Sequence, residues 1–210
     1  MFISKTDSEP CTIQAPALDV ENVEPVVAVF DGMPIENHPL LRDRIIVDDP
    51  DDYATNYKSK YRIHGTSMTS LAIYGDLNRN DSPITFSVYV RPILRPKQVG
   101  PDSVQECVTD DKLFVDTLHR AVKRIMEGEN GEDATAPNTM VINLSVGDLV
   151  RQLSTMMSAI ARLIDYLAYK YKILFIISAG TMMRFSIILI NLLLISKLLT
   201  FRAKIMFLDR

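Results

Sequence analysis

Asp31 and His64 are the residues of this chain whose types and settings could move a proton. Asp31 closes the apolar run Val26-Val27-Ala28-Val29-Phe30 and is followed by Gly32, while His64 opens the segment His64-Gly65-Thr66-Ser67-Met68-Thr69. A carboxylate held against an imidazole fixes its tautomer and stabilises the imidazolium, so that the ring can take a proton from a hydroxyl nucleophile. Taken singly, each residue has a plainer reading. Asp-Gly after a strand is an ordinary turn signal, and a lone histidine is more often packed or solvent-facing than a base. Ser145 and Gly180 follow two later apolar runs as Asp31 follows the first. In a parallel α/β sheet, function gathers at the carboxyl ends of the strands.

The elements that must position these residues are legible from patterning. Val26 to Phe30 is a short continuous apolar run, as expected of a strand buried on both faces. His64 to Tyr74 carries small and apolar residues at helical spacing and stops at Gly75. Ile84 to Ile93 alternates and is rich in β-branched and aromatic residues, which predicts a strand. Asp111 to Glu127 sets Leu113, Phe114, Leu118, Val122 and Ile125 on one side, the pattern of an amphipathic helix. A Gly-containing loop over 128–138 ends it. Met140 to Leu144 and Ile173 to Ser178 read as strands, with a helix over 151–171 between them. Strands alternating with helices predict an α/β fold with a parallel sheet covered by helices. Residues 1–24, with Pro10 and Pro16, read as an N-terminal extension. The polar stretch 43–60 holds Asp48, Asp49, Asp51 and Asp52 around Pro50. Its composition predicts a solvated loop rather than a metal site, since nothing in the sequence fixes these carboxylates on one face.

Bulk properties narrow the function classes. The chain is 47% hydrophobic and 23% charged, as for one soluble globular domain. Its net charge of -3 gives no reason to invoke nucleic acid, whose binders usually show a basic face. Cys11 and Cys107 are the two cysteines, far apart and without a metal-ligand neighbour, which fits a reducing compartment. The N-terminal residues lack the apolar core of a secretory signal, so a cytoplasmic location is expected. No cofactor and no metal site are called for.

Taken together, four segments in order are far more specific than any one of them. Val27 to Gly32 resembles the aspartate motif of the subtilisin-like serine proteases (subtilases, peptidase family S8), and His64 to Gly75 resembles their histidine motif. Val141-Ile142-Asn143-Leu144-Ser145-Val146-Gly147 resembles the family's V-I-N-x-S-x-G strand and loop, and Leu174 to Gly180 resembles the strand leading to its oxyanion asparagine. The resemblance implies a three-layer subtilisin-like sheet, of which residues 25–181 cover the N-terminal portion. It also implies a serine-type endopeptidase with Asp31 and His64 as catalytic residues and a peptide or protein as substrate. Ser145, Val146 and Gly147 would bind the extended substrate by strand addition, with Gly147 admitting close backbone approach. Asn143 reads as a buried structural residue. Subtilases often bind calcium, but no ligand cluster for it stands out.

The sequence also departs from the family pattern. Thr181 occupies the oxyanion position where the family has Asn, and losing one such donor typically costs about a hundred- to a thousandfold in rate. No G-T-S-x-A nucleophile motif follows, so no nucleophile is assigned. The only Gly-Thr-Ser is Gly65-Thr66-Ser67, inside the histidine motif and read as helix-start structure. Residues 182–210 change character abruptly, with five basic residues against one acidic. They read as an aberrant hydrophobic, basic tail of frameshift, read-through or truncated-gene origin. Residues 183–205 offer the alternative of a membrane contact, which their length and polar interruptions disfavour. The chain is therefore expected to be a catalytically incomplete subtilase, with a non-catalytic peptide-binding remnant or pseudoprotease as the alternative. A phospho-receiver reading of Asp31-Gly32-Met33-Pro34 fails for want of an acidic pair to hold Mg²⁺. Thr181→Asn alone is expected to leave the chain without peptidase activity. Hydrolysis of a fluorogenic peptide by that variant would contradict this reading.

Overall fold

A computed structural model describes residues 24–77, 82–101, 103–146 and 157–178. Five parallel strands form the central sheet: β1 (Val27–Asp31), β2 (Ile45–Val47), β3 (Val88–Pro92), β6 (Val141–Leu144) and β7 (Leu174–Ile177), in the order β2-β3-β1-β6-β7. A separate antiparallel hairpin, β4 (Arg95–Gly100) and β5 (Ser103–Cys107), follows β3. Three helices, α1 (Ile63–Tyr74), α2 (Phe114–Glu127) and α3 (Ala159–Tyr171), complete the described fold. Among the described residues no helix is long and apolar enough to cross a membrane.

The sheet is central because β1 is apolar on both faces. Ala28 and Phe30 point into a core shared with Leu118, Val122 and Ile125 of α2 and Leu167 of α3. Val27 and Val29 point the other way, into a core with Met68 and Ile73 of α1 and Val88 and Val90 of β3. Successive strand residues face opposite sides, so a strand that is apolar from Val27 through Phe30 needs a layer on each side. The α/β fold expected from the alternation of elements, a parallel sheet covered by helices, is the one observed. Burying each of the side chains larger than Ala28 contributes on the order of 1.5–3 kcal/mol.

Boundaries moved where local signals were weak. The strand expected over 84–93 narrows to Val88–Pro92, because Ile84 instead donates its N–H to the Ile73 carbonyl and closes the turn after α1. The helix expected from Asp111 begins at Phe114. The helix expected over 151–171 is seen from Ala159, where the Ser158 hydroxyl accepts the Ala161 N–H at 3.2 Å, and residues 151–156 lie outside the described part. β2 and the β4–β5 hairpin were not foreseen.

The acidic stretch 48–52 is a correction. Asp48 and Asp51 are not solvated: their side chains are 15% and 10% exposed. Asp48 accepts from Arg124 Nε at 2.8 Å and from the Tyr89 hydroxyl at 2.5 Å. Asp51 accepts from Arg91 Nη2 at 2.7 Å, Lys112 Nζ at 2.8 Å and Arg120 Nη1 at 2.9 Å. Asp49 turns inward differently, taking the backbone N–H groups of Tyr53 and Ala54 at 3.0 and 2.8 Å. The cations that fix these carboxylates come from β3 and from α2 and its approach, so nothing local to residues 48–52 could reveal them. For both Asp48 and Asp51, burial is the largest single influence and pushes the carboxyl upward. The hydrogen bonds and charges of the surrounding Arg, Lys and Tyr groups overcome it and hold both below the ordinary 3.8.

Two expectations follow. The stability added by these carboxylates is fully present above about pH 4 and is lost as pH falls from there through their lower folded values, because the unfolded chain then binds protons more readily than the folded one. Asp51→Ala strands Arg91, whose side chain is 3% exposed. It should cost about 3 kcal/mol in urea unfolding at pH 7 and flatten the acid limb of the stability curve.

Candidate active site

Asp31 is the last residue of β1 and is completely buried. Its carbonyl accepts the N–H groups of Ile93 and Leu94 at 2.8 and 3.3 Å, which ties the end of β1 to the chain leaving β3. Its carboxylate Oδ1 accepts the Gly32 N–H at 2.6 Å and lies 2.8 Å from His64 Nδ1. Oδ2 is buried without a hydrogen-bond partner among the described residues. A buried carboxylate is costly unless paired, and the imidazole is the group that pairs it.

His64 is the second residue of α1, and its side chain is 46% exposed. The contact with Asp31 engages Nδ1, so the neutral ring carries its proton there and leaves Nε2 as the acceptor. The hydrogen bond that Nδ1 donates to Asp31 is the largest influence on the ring and raises its pKa above 6.5. Burial opposes this, and the charges of Asp31 and Glu106 add to it. The positive end of a helix disfavours an imidazolium; here the carboxylate outweighs it.

Two glycines bring the partners together. A Cβ on Gly65 would collide with the Gly32 carbonyl oxygen and come within 2.8 Å of its carbon. Only a residue without a side chain lets the start of α1 sit on the turn after β1. Thr66 locks the same junction, its hydroxyl donating to the Arg62 carbonyl at 2.5 Å and accepting the Ile35 N–H at 2.9 Å. Gly65-Thr66-Ser67 is therefore a packing device at the helix start, with Gly65 and Thr66 buried and Ser67 exposed.

The neighbouring strand β6 pairs with β1 in the register Val29 with Asn143 and Phe30 with Leu144. That register brings the chain after β6, Ser145 and Val146, to the same end of the sheet as Asp31. Both are half-buried. Asn143 is 4% exposed and its amide donates to the Ser145 hydroxyl at 2.7 Å. It thus holds a side chain of the strand end. Gly147, Gly180 and Thr181 lie outside the described residues.

Glu106 of β5 and Tyr57 were missed by sequence reasoning. The Tyr57 hydroxyl donates to Glu106 Oε1, and both groups occupy the space over Gly32 where a Cβ would stand. Neither carries a local signal, since the hairpin that delivers Glu106 follows no chemical motif. Among the described residues no group of three or more His, Cys, Asp or Glu side chains is placed to hold a metal ion. Cys107 is a free, half-buried thiol.

The arrangement can hold a proton on an imidazole and pass it between Nε2 and a group approaching from the exposed side. Asp31→Asn should lower the His64 midpoint in an NMR titration of its ring protons, with His38 and His119 as internal controls. Gly65→Ala should destabilise the chain by about 1–3 kcal/mol through overpacking and lower the same midpoint by prising α1 from β1.

Comparison with known proteins adds one positive finding. The model of the family described as "Subtilase family" (Peptidase_S8) matches residues 23–183. No curated protein and no solved structure matches the chain.

Proposed function

The chain belongs to the subtilase family of proteases, and from that premise we propose that it carries the acid–base half of a serine endopeptidase. Asp31 orients His64 and stabilises its charge. His64 accepts a proton at Nε2 from a serine hydroxyl as that oxygen attacks a peptide carbonyl, and returns it to the leaving amine. The strand end at Ser145, Val146 and Gly147 pairs with the extended backbone of a peptide or protein substrate. In sequence, Thr181 takes the place of the family's oxyanion asparagine.

The observation that supports this reading best is the 2.8 Å contact between His64 Nδ1 and the fully buried Asp31 carboxylate at the carboxyl end of a central parallel strand. Asp-Gly as a mere turn would not need a buried carboxylate, and a packed histidine would not leave one nitrogen toward solvent. The nucleophile is another matter. The one Gly-Thr-Ser in the sequence is at residues 65–67, where Gly65 and Thr66 pack the start of α1. We therefore read these 210 residues as peptide-binding but not peptide-cleaving by themselves.

The test is to titrate the isotope-labelled protein with an extended hexapeptide and to assay the same sample against fluorogenic peptides. Shifts at Asn143 to Val146 and at His64, with no hydrolysis above that of His64→Ala, are the expected result. Hydrolysis lost in His64→Ala would overturn the claim that the nucleophile is missing. A peptide that moves neither segment would overturn the cleft itself.

A further inference from the structure

Glu106 stands in an unusual setting for a glutamate on a surface hairpin. It is half-buried, its Oε1 takes the Tyr57 hydroxyl, and it fills the space that the missing Cβ of Gly32 leaves directly beside Asp31. Tyr57 is itself buried, 2% exposed, and its backbone carbonyl accepts Arg62 Nε at 2.7 Å at the start of α1. The carboxylate, carried on β5, is therefore held between the turn after β1 and the segment before α1.

We propose that Glu106 is a positioning residue of the acid–base pair, a second carboxylate fixed by Tyr57 over Gly32 that holds the His64 imidazolium and its contact with Asp31. The proposal rests on the reading of Asp31 and His64 as that pair.

Electrostatic accounting favours this over a purely structural role. Two carboxylates next to one another in a half-buried site repel, and burial compounds the cost. Burial is the largest influence on Glu106 and raises its pKa; the Tyr57 hydrogen bond lowers it, the Asp31 charge raises it, and the His64 charge lowers it. Among the described residues no Lys or Arg forms an ion pair with Glu106. The guanidinium of Arg62 is turned instead to the carbonyls of Tyr57, Pro34 and Ala54. A glutamine or an apolar side chain would fill the same space without repelling Asp31. The charge is favourable only when His64 is positive. The charged groups acting on His64 are Asp31 from β1 and Glu106 from β5, while the Tyr57 hydroxyl that meets Glu106 is neutral.

The test is an NMR titration of the three histidines in the full chain. Glu106→Gln keeps the shape and can still accept from Tyr57. It should lower the His64 midpoint while His38 and His119 stay where they were. A merely structural glutamate would leave all three unmoved, and an unchanged His64 midpoint in Glu106→Gln overturns the proposal. If that variant does not fold, the wild-type protein decides: the Glu106 side-chain carboxyl carbon should show a second inflection at the His64 midpoint, and its absence overturns the proposal. Asp31→Asn separates the two readings. If it lowers the His64 midpoint and Glu106→Gln does not, the acid–base pair stands and Glu106 is dismissed. If neither variant moves it, the pair itself is wrong and the proposal falls with it.

Discussion

Burying an aspartate completely at the end of a central strand creates a demand that the surrounding chain has to meet. Asp31 has no solvent to stabilise its charge, and among the described residues its carboxylate is met by one backbone N–H and one imidazole. Both come from geometry imposed at the same spot, where Gly65 seats the start of α1 on the Gly32 carbonyl. The contact of two glycine-containing turns thus decides whether His64 reaches the carboxylate at all. The sheet and the flanking helices can be understood as the frame that keeps those two turns apposed.

That frame is tied down at the far side by charge. Arg91 sits in β3 opposite Phe30 of β1, one residue before the end that holds the Asp31 carbonyl through Ile93 and Leu94. Its guanidinium is buried against Asp51, and Asp51 and Asp48 in turn bind Arg120 and Arg124 of α2. The ion pairs therefore fix the exit of β3, from which the β4–β5 hairpin springs. Glu106 is carried on that hairpin. An electrostatic cluster that takes no part in proton transfer thus sets the position of the chain that delivers a carboxylate to the site.

The sequence made much of this legible. The unbroken apolar run Val27 to Phe30 requires a strand covered on both faces, and the two cores found on either side of β1 are the consequence. The helix stop at Gly75 is legible for a local reason too: the residue has φ +67, which a glycine adopts freely. Asp31, His64 and Ser145 could be singled out because strand ends and helix starts are local patterns. The acidic loop could not be read the same way, because the partners of Asp48 and Asp51 are far along the chain and carry no pattern of their own.

What the residues settled by themselves was therefore local: alternation, helix period, turn chemistry, and the four ordered motifs that place the chain among the subtilases. Those features depend on neighbours within a few positions, where covalent geometry limits the choices. The tertiary structure alone decided at what separation and burial charges meet. The 2.8 Å approach of His64 to Asp31, the Arg91–Asp51 pair and the seat of Glu106 over Gly32 all join groups distant in sequence. Coulomb energy depends on separation in space and on the surrounding dielectric, and a linear sequence specifies neither until the chain has packed.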